Sequence, residues 1–501
     1  MPQAISTNVE GSAAATAQAP QRGRSLLDML ARGAGIYALA NFATRALNFL
    51  LLPLYTRFLT PADYGVISLA EIIATAFVTI AGFGFEPALR RLYFHYAENS
   101  EEQRQYVGTV LRFILAAIAV GVVLCFAMAS VTPREWFSVQ FFPYVALALG
   151  TAAAAQLTQH RLALFEIRRR PQLYALWVAL LFALTASFTI WFVVGTRGGA
   201  RGMLAGKLLA SAFVALISLA ALCPWLSAKW QWRFVRETWP LAWPLMPHQL
   251  MALGLVIADR FLLEHYRSLA EVGIYSLAYT CGMAMYLMTT SLLQSWSPMF
   301  FDLARQGDSA KPQLGRLSSA LAIALTAIAA VGALLAPVLV RLLDPRYRGL
   351  AALVPLVIAG YLFHGFFALL QLPILQSQRS RPILYASSVA LVTNLALNIL
   401  WIPHWGMYGA AYATVAGYAL EALIMFALAQ RIHPLTYAHT RILGTLAIFG
   451  AAVAFAEIVP ASRTLWGAGV ALACATLTML ALLRNSFSVL LTKVAEGRHA
   501  Q

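Results

Sequence analysis

Four polar residues, Tyr37, Asn41, Arg45 and Asn48, recur at i, i+4, i+8 and i+11 inside an apolar stretch. At 3.6 residues per turn they share one helix face. A charge inside a membrane span costs about 2.5–3.5 kcal/mol on the insertion scale, so it turns toward a cavity or a partner. A stripe centred on a guanidinium reads as a cavity wall that binds an anion; an interhelical hydrogen-bond seam is the alternative. Ser68, Glu71, Thr75 and Thr79 form a second stripe. There Glu71 either pairs with Arg45 or carries a proton, and simple pairing is the favoured role. His248 and Asp259 lie eleven residues apart, again on one face, and Arg260 follows directly. For Asp259 and Arg260 an ion pair at the membrane interface and a functional contact explain the spacing equally well. His248 reads as a packing residue.

Weaker signals come from single polar residues in apolar stretches. Lys207 has a stem long enough to snorkel to the interface. Gln156, His160, His364, Gln371 and Glu421 are further candidates. Asn394 and Asn398, at i and i+4, read as a tie between helices. Tyr275, Tyr279 and Tyr286 read as a packing stripe, with a wall for stacking sugars as the alternative.

Signatures of catalysis are missing. The chain contains no G-x-x-x-x-G-K-[ST], no H-E-x-x-H and no G-x-S-x-G, so no enzymatic chemistry and no cofactor are expected. Cys125, Cys223, Cys281 and Cys474 are far apart in apolar segments and form no C-x-x-C or Cys/His spacing, which predicts neither a metal site nor a disulfide framework.

The elements that must position these residues follow from composition. Of 501 residues, 60% are hydrophobic and only 11% charged, against about 25% charged in an ordinary soluble domain. A span takes about 20 apolar residues. The composition excludes a soluble enzyme with one anchor, a disordered chain and an outer-membrane barrel, and leaves an all-α polytopic membrane protein. Apolar runs broken by charge and proline give fourteen candidate helices, at 31–57, 62–85, 106–130, 140–164, 171–195, 200–224, 241–264, 271–298, 316–340, 350–376, 381–402, 406–430, 441–459 and 464–483. Residues 1–30 and 484–501 are expected as cytoplasmic tails, the first disordered. The net charge of +16 does not call for nucleic acid. With the N-terminus inside, Lys and Arg fall more than twice as often on inside loops as on outside loops, which predicts both termini in the cytoplasm.

The chain also repeats itself. Residues 170–180 read RPQLYALWVAL and residues 381–391 read RPILYASSVAL, with eight identities in eleven. Residues 63–70, DYGVISLA, match 271–278, EVGIYSLA, and Gly199-x-x-Gly202 matches Gly406-x-x-Gly409. The offset spans six helices, an even number, so the halves share one orientation and form parallel repeats. The expected organisation is a six-helix bundle over 31–224, a second over 241–430, and two extra spans over 441–483. Two similar bundles around a cleft suit alternating access, which a simple pore does not need.

Two stretches carry a family resemblance. Asn41 to Leu69, with LLPLYTRFLTPADYGVISL, and Asn394 to Tyr418, NLALNILWIPHWGMYGAAYATVAGY, resemble the Wzx-type polysaccharide and oligosaccharide-lipid flippases of the multidrug/oligosaccharidyl-lipid/polysaccharide exporter superfamily. The resemblance implies a flippase that moves an undecaprenyl-pyrophosphate-linked oligosaccharide from the cytoplasmic to the periplasmic leaflet of the inner membrane. Arg45, with Arg260 or Lys207, would then attract the pyrophosphate, and Asn41, Asn48, Glu71 and Gln156 would hydrogen-bond the glycan; Asp259 joins this set beside Arg260. Membrane lipid, a polysaccharide polymerase and glycosyltransferases are the partners implied. Two rivals stand beside it: a cation-coupled multidrug exporter, which the cationic Arg45 disfavours, and a non-transporting scaffold of a polysaccharide assembly complex.

Overall fold

The computed structural model describes residues 35–458 apart from 38, 97–99, 132–134, 137, 227–228, 244 and 378–380, together with 469 and 473. Within them the chain forms helices α1 (Gly35–Phe58), α2 (Pro61–Ala81), α3 (Phe85–Leu92), α4 (Glu101–Val131), α5 (Ala146–Ile167), α6 (Pro171–Ile190), α7 (Gly199–Leu226), α8 (Trp232–Ala242), α9 (Leu245–Tyr266), α10 (Leu269–Ala304), α11 (Lys311–Val340), α12 (Leu350–Gln376), α13 (Arg381–Ile432) and α14 (His439–Ile458). A two-stranded hairpin pairs Glu135–Trp136 with Val139–Gln140. Nine of the described helices are long and apolar enough to cross a membrane, and the chain is an all-α polytopic membrane protein. The span expected at 464–483 and both tails lie outside the described residues.

Three features depart from the sequence segmentation. α3 and α8 are short helices between spans, too charged to register as apolar runs. α13 contains both spans expected at 381–402 and 406–430, because helical hydrogen bonding continues through Pro403 into a break at Gly406, with φ 54° and ψ −133°. The chain reverses there: Asn394 Nδ2 donates to Thr414 Oγ1 at 3.4 Å across the two halves, and a Cβ on Gly417 would stand 3.1 Å from that of Asn394.

The repeated residues make repeated contacts. Thr60 Oγ1 accepts from Asp63 N at 3.1 Å to start α2, and Ser268 Oγ accepts from Glu271 N at 3.2 Å to start α10. The same carboxylates then dock a second helix. Asp63 Oδ1 accepts from Ala200 N at 3.1 Å, and Glu271 Oε2 accepts from Met407 N at 3.0 Å. Each amide follows a glycine in the left-handed region, Gly199 at φ 55° and Gly406 at φ 54°, a conformation that glycine adopts without steric cost. A carboxylate on the first amides of a helix also meets the positive end of its dipole.

The two helix sets, α1–α7 and α9–α13, meet where α2 crosses α10. A Cβ on Gly65 would stand 1.9 Å from the carbonyl oxygen of Leu269, and one on Gly273 would stand 1.8 Å from that of Pro61. The backbones touch because neither position carries a side chain. Ser68 Oγ and Ser276 Oγ share a hydrogen bond of 2.7 Å beside the crossing. Positions 61, 65 and 68 match 269, 273 and 276 in the repeat, so the contact is self-complementary, as at a two-fold axis. We call this end of the molecule the seam end. A turn at Pro345–Tyr347 latches it further: Tyr347 OH donates to Leu59 O at 2.8 Å, and Arg346 Nη2 donates to Thr56 O at 3.1 Å. α14 sits outside the repeated contacts and packs on α11, where Ala438 N donates to Ser319 Oγ at 3.0 Å.

Candidate functional site between the two helix sets

α2 and α10 part below their crossing. Ser68 and Ser276 meet, but Thr75, two turns further along the same face of α2, is exposed. On α10 the corresponding face is exposed at Thr280 and Met283. The two helices therefore diverge away from the seam and leave a cleft between the sets. α1 behaves in the same way. Leu52, Tyr55, Thr56 and Leu59 are buried near the seam. Arg45 lies seven residues before Leu52, about 20° around the helix from it, yet it is exposed, as is Asn48. The face that packs at the seam is thus the face that carries Arg45 into open space. Among the described residues Arg45 makes no ion pair. The rest of its stripe is a tie between helices: Tyr37 OH donates to Phe165 O at 3.3 Å, and Asn41 Oδ1 accepts from Tyr174 OH at 3.2 Å.

Glu71 pairs with Lys207, not with Arg45: Nζ and Oε1 are 2.5 Å apart. The register explains the partner. α2 and α7 run parallel and are pinned at Asp63 and Ala200, so eight residues along one and seven along the other arrive at the same depth. That depth is about 15 Å from the start of α2, close to the middle of a 30 Å hydrocarbon layer. Lys207 thus ends on Glu71, about three turns into α2. The pair is 26% and 39% exposed at its two side chains, so it borders the cleft. In the second helix set the equivalent positions are Tyr279 and Thr414, which hydrogen-bond to each other without charge.

Asp259 and Arg260 form a buried pair at 3.2 Å, with side chains 3% and 8% exposed. They are held from three sides. Tyr275 OH donates to Asp259 Oδ2 and contacts Tyr279 OH at 3.1 Å. Arg260 Nε donates to Ser276 Oγ at 3.3 Å, and its guanidinium lies 4.7 Å from the Tyr279 ring centroid. Through Ser276 this network reaches Ser68 of the other helix set. Asp259 and Arg260 thus sit under the crossing, shut off from the cleft while the seam is closed.

Further aromatics continue the network into the second set. Tyr361 meets Tyr279 edge to face at 6.0 Å and Tyr286 at a tilt at 5.6 Å between ring centroids. Gln156 is half-buried on α5, His160 is fully buried, and the side chain of His248 lies outside the described residues. An apolar groove of about 50 Å³ separates α1 from α10, α11 and α12, lined by Phe49, Leu52, Cys281, Ala336, Leu339 and Val354 among others. Among the described residues no cluster of His, Cys, Asp or Glu could hold a metal ion.

A family model described as "Polysaccharide biosynthesis protein" matches residues 30–304. The chain belongs to the polysaccharide biosynthesis protein family. The match covers α1 through α10, the part of the chain that contains the crossing, Arg45, the Glu71–Lys207 pair and the Asp259–Arg260 pair. Among solved structures, the inward closed conformation of the lipid II flippase MurJ is similar at 12% identity and a TM-score of 0.68, over 91% of this chain and 99% of that one. An inward-facing multidrug resistance MATE transporter of the MOP superfamily is similar at 12% identity and a TM-score of 0.58, over 81% of this chain and 99% of that one. A MOP superfamily transporter from Pyrococcus furiosus is similar at 14% identity and a TM-score of 0.54, over 82% and 95%. At such identities the likeness establishes a shared fold. No curated protein sequence matches the chain.

For this member of the polysaccharide biosynthesis family, sequence reasoning missed Tyr361 and Thr414 as part of the site. Each is a lone polar residue in a long apolar helix, and only the packing of α10 against α12 and α13 reveals it. A signal existed for the docking carboxylates: Asp63 and Glu271 recur at nearly the same offset as Gly199 and Gly406, so each pair had to meet in both halves or in neither.

Proposed function

We propose that this protein is a flippase that carries a lipid-linked, pyrophosphate-bearing oligosaccharide across the inner membrane by alternating access, in the synthesis of a surface polysaccharide. The observation that carries this reading is the divergence of α2 and α10 from one tight crossing, with an unpaired cation, Arg45, on the wall of the cleft. In this reading residues 31–224 and 241–430 are two lobes, the seam end is periplasmic, both termini are cytoplasmic, and the described conformation opens inward. Arg45 attracts the pyrophosphate, helped by Lys207 if substrate displaces Glu71. Asn41, Asn48, Glu71 and Gln156 hydrogen-bond the glycan on one side, and Tyr279, Tyr286 and Tyr361 offer ring faces to sugars on the other. Asp259 and Arg260 join the site when the seam opens. The polyprenyl tail stays in lipid, and the apolar groove beside α1 lets it pass between the lobes. Transport needs no bond-making, so the protein is not an enzyme. A polymerase and glycosyltransferases are the partners such a step requires.

Outward movement of an anion is favoured by a membrane potential that is negative inside, by about 2.3 kcal/mol per charge per 100 mV. The test is reconstitution in liposomes with undecaprenyl-pyrophosphate-linked oligosaccharide, reading its appearance in the opposite leaflet. Arg45→Ala is expected to lower the rate about tenfold or more, and Arg45→Lys to retain part of it, because a lysine supplies the charge without the two-pronged geometry. Transport at the wild-type rate by Arg45→Ala would remove the basis of the proposal.

A further inference from the structure

The interior of the second helix set holds one ionisable pair that the reading above does not use. Glu421, in the second half of α13, is 4% exposed. Its Oε1 accepts from Ser387 Oγ at 2.6 Å, and its Oε2 lies 4.0 Å from Nδ1 of His364 on α12. That Nδ1 is buried and has no hydrogen-bond partner among the described residues. No Lys or Arg comes within ion-pair distance of Glu421 among the described residues. Glu71 and Asp259, two other carboxylates deep in described helices, each have a cation at hand. Glu421 has only an imidazole.

The surroundings make this difference matter. His364 is walled by the rings of Tyr286, Phe367 and Tyr418, at centroid separations of 6.0, 5.8 and 5.1 Å. The titratable and charged groups facing the pair are Tyr279 and Tyr286 from α10, Tyr361 from α12 and Tyr418 from α13. From α9 come Asp259 and Arg260, which neutralise each other. α11 has no titratable side chain between Leu317 and Val340. A buried carboxylate in so apolar a setting is not left as a bare anion. The pair is electrically neutral when it holds one proton, either as a carboxylic acid beside neutral imidazole or as carboxylate beside imidazolium. The His364 side chain is 30% exposed, unlike that of Glu421 at 6%.

We propose that His364 and Glu421 share one exchangeable proton, and that this site couples proton movement to the opening and closing of the seam. The inference deepens the transport reading by naming the coupling ion and its carrier. The pair bridges α12 and both halves of α13, since Ser387 belongs to the first half and Glu421 to the second. A change in its charge therefore acts on the packing of the helices that support Tyr279 and, through Tyr275 and Ser276, the crossing itself. The bland alternative is a fixed hydrogen-bonded tie between helices, which would show no response to pH.

The test needs no glycolipid. Spin labels at Arg57→Cys and Leu342→Cys, both exposed near the seam, in a background without native cysteines, report the open fraction of the full-length protein in lipid. Between pH 5.5 and pH 8 the wild-type open-to-closed ratio is expected to change about tenfold. In His364→Gln and in Glu421→Gln the change should fall below about twofold. An unchanged pH response in a folded His364→Gln, or no response in the wild type, overturns the proposal. If Glu421→Gln does not fold, His364→Gln decides alone. Arg45→Ala should lose glycolipid transport yet keep the pH response. A flippase reading that failed would thus leave this result standing, and the reverse also holds.

Discussion

The crossing of α2 and α10 makes a quantitative demand on Gly65 and Gly273. A methyl group at position 65 would stand 1.9 Å from the Leu269 oxygen. An ordinary carbon–oxygen contact is about 3.3 Å or longer, so the two backbones must separate by about 1.4 Å. That displacement stretches the 2.7 Å bond between Ser68 and Ser276 to about 4 Å and removes it, at about 1 kcal/mol. The misfit adds about 1–3 kcal/mol as for other overpacked contacts. Gly65→Ala should therefore raise the closed-seam state by about 2–4 kcal/mol relative to a state in which the helices have parted, a population shift of roughly 30- to 700-fold. Gly273→Ala should do the same, because its contact, at 1.8 Å to Pro61, is the symmetry partner. Spin labels at positions 57 and 342 read the result as loss of the short-distance population. Gly450→Ala is the control, since a Cβ there meets nothing within 4 Å. Should Gly65→Ala keep the closed distance distribution and the wild-type melting temperature, the backbone contact at the crossing would be disproved.

Other perturbations test the supports. Asp63→Ala removes the carboxylate that accepts from Thr60 N at 2.8 Å in the capping box, worth about 1 kcal/mol, and a charge-assisted bond to α7 worth about 1.5–3 kcal/mol; a loss of about 2–4 kcal/mol should appear in chemical denaturation, with a smaller loss in the conservative Asp63→Asn. For Glu71 and Lys207, a double-mutant cycle with Glu71→Gln and Lys207→Met should show coupling of about 1 kcal/mol, reduced from a buried pair by partial exposure; zero coupling would mean that the pair is incidental. The latch at Asp344 has a predictable pH dependence. A hydrogen bond from Arg346 holds the Asp344 carboxyl below its usual range, so the folded value lies below the unfolded value of about 3.9. Its contribution is complete above that value and is lost as pH falls through the lowered one. Melting temperature should thus respond to Asp344→Asn at pH 7 and converge with wild type in strong acid.

Much of the architecture was legible because the membrane imposes it. Apolar runs of about 20 residues have one structural use, and α6 and α12 begin at the residues where proline and charge end the preceding loop. The repeats were legible because identical or similar residues recur at nearly one offset. What failed was neighbour choice. Hydropathy places Glu71 and Arg45 on faces of their own helices, but it does not say which faces meet. The partner was set by the docking of α7 on Asp63, a loop-level contact that carries no apolar signal. The reversal within α13 was read as two spans for the right reason, proline and glycine near 403–406, yet helical hydrogen bonding runs through it to Gly406. Gln156 illustrates the limit: its polarity in α5 marks it out, and the structure leaves it half-buried without a hydrogen bond among the described residues.

The two halves agree at some matched positions and disagree at others, and the division is physical. At the crossing and the docking points the residues keep their chemistry: Thr60 with Ser268, Asp63 with Glu271, Gly65 with Gly273, Ser68 with Ser276, Gly199 with Gly406. Facing the cleft they do not. Glu71 and Lys207 correspond to Tyr279 and Thr414. A hinge between two lobes works best when both sides are alike, because a self-complementary contact closes once and opens once. A ligand with an anionic end and a sugar end has no such symmetry, so the walls that hold it must differ. Making the walls alike is then the sharpest perturbation. Tyr279→Glu with Thr414→Lys copies the charged pair of the first half into the second and leaves the residues of the crossing in place. Because Tyr279 also contacts Arg260 and Tyr275 under the crossing, the closed fraction is read in parallel by spin-label distances, and transport per closed molecule should fall tenfold or more as the ring face is replaced. If that variant carries glycolipid at the wild-type rate, the difference between the halves is not about the ligand, and the assignment of the two walls must be abandoned.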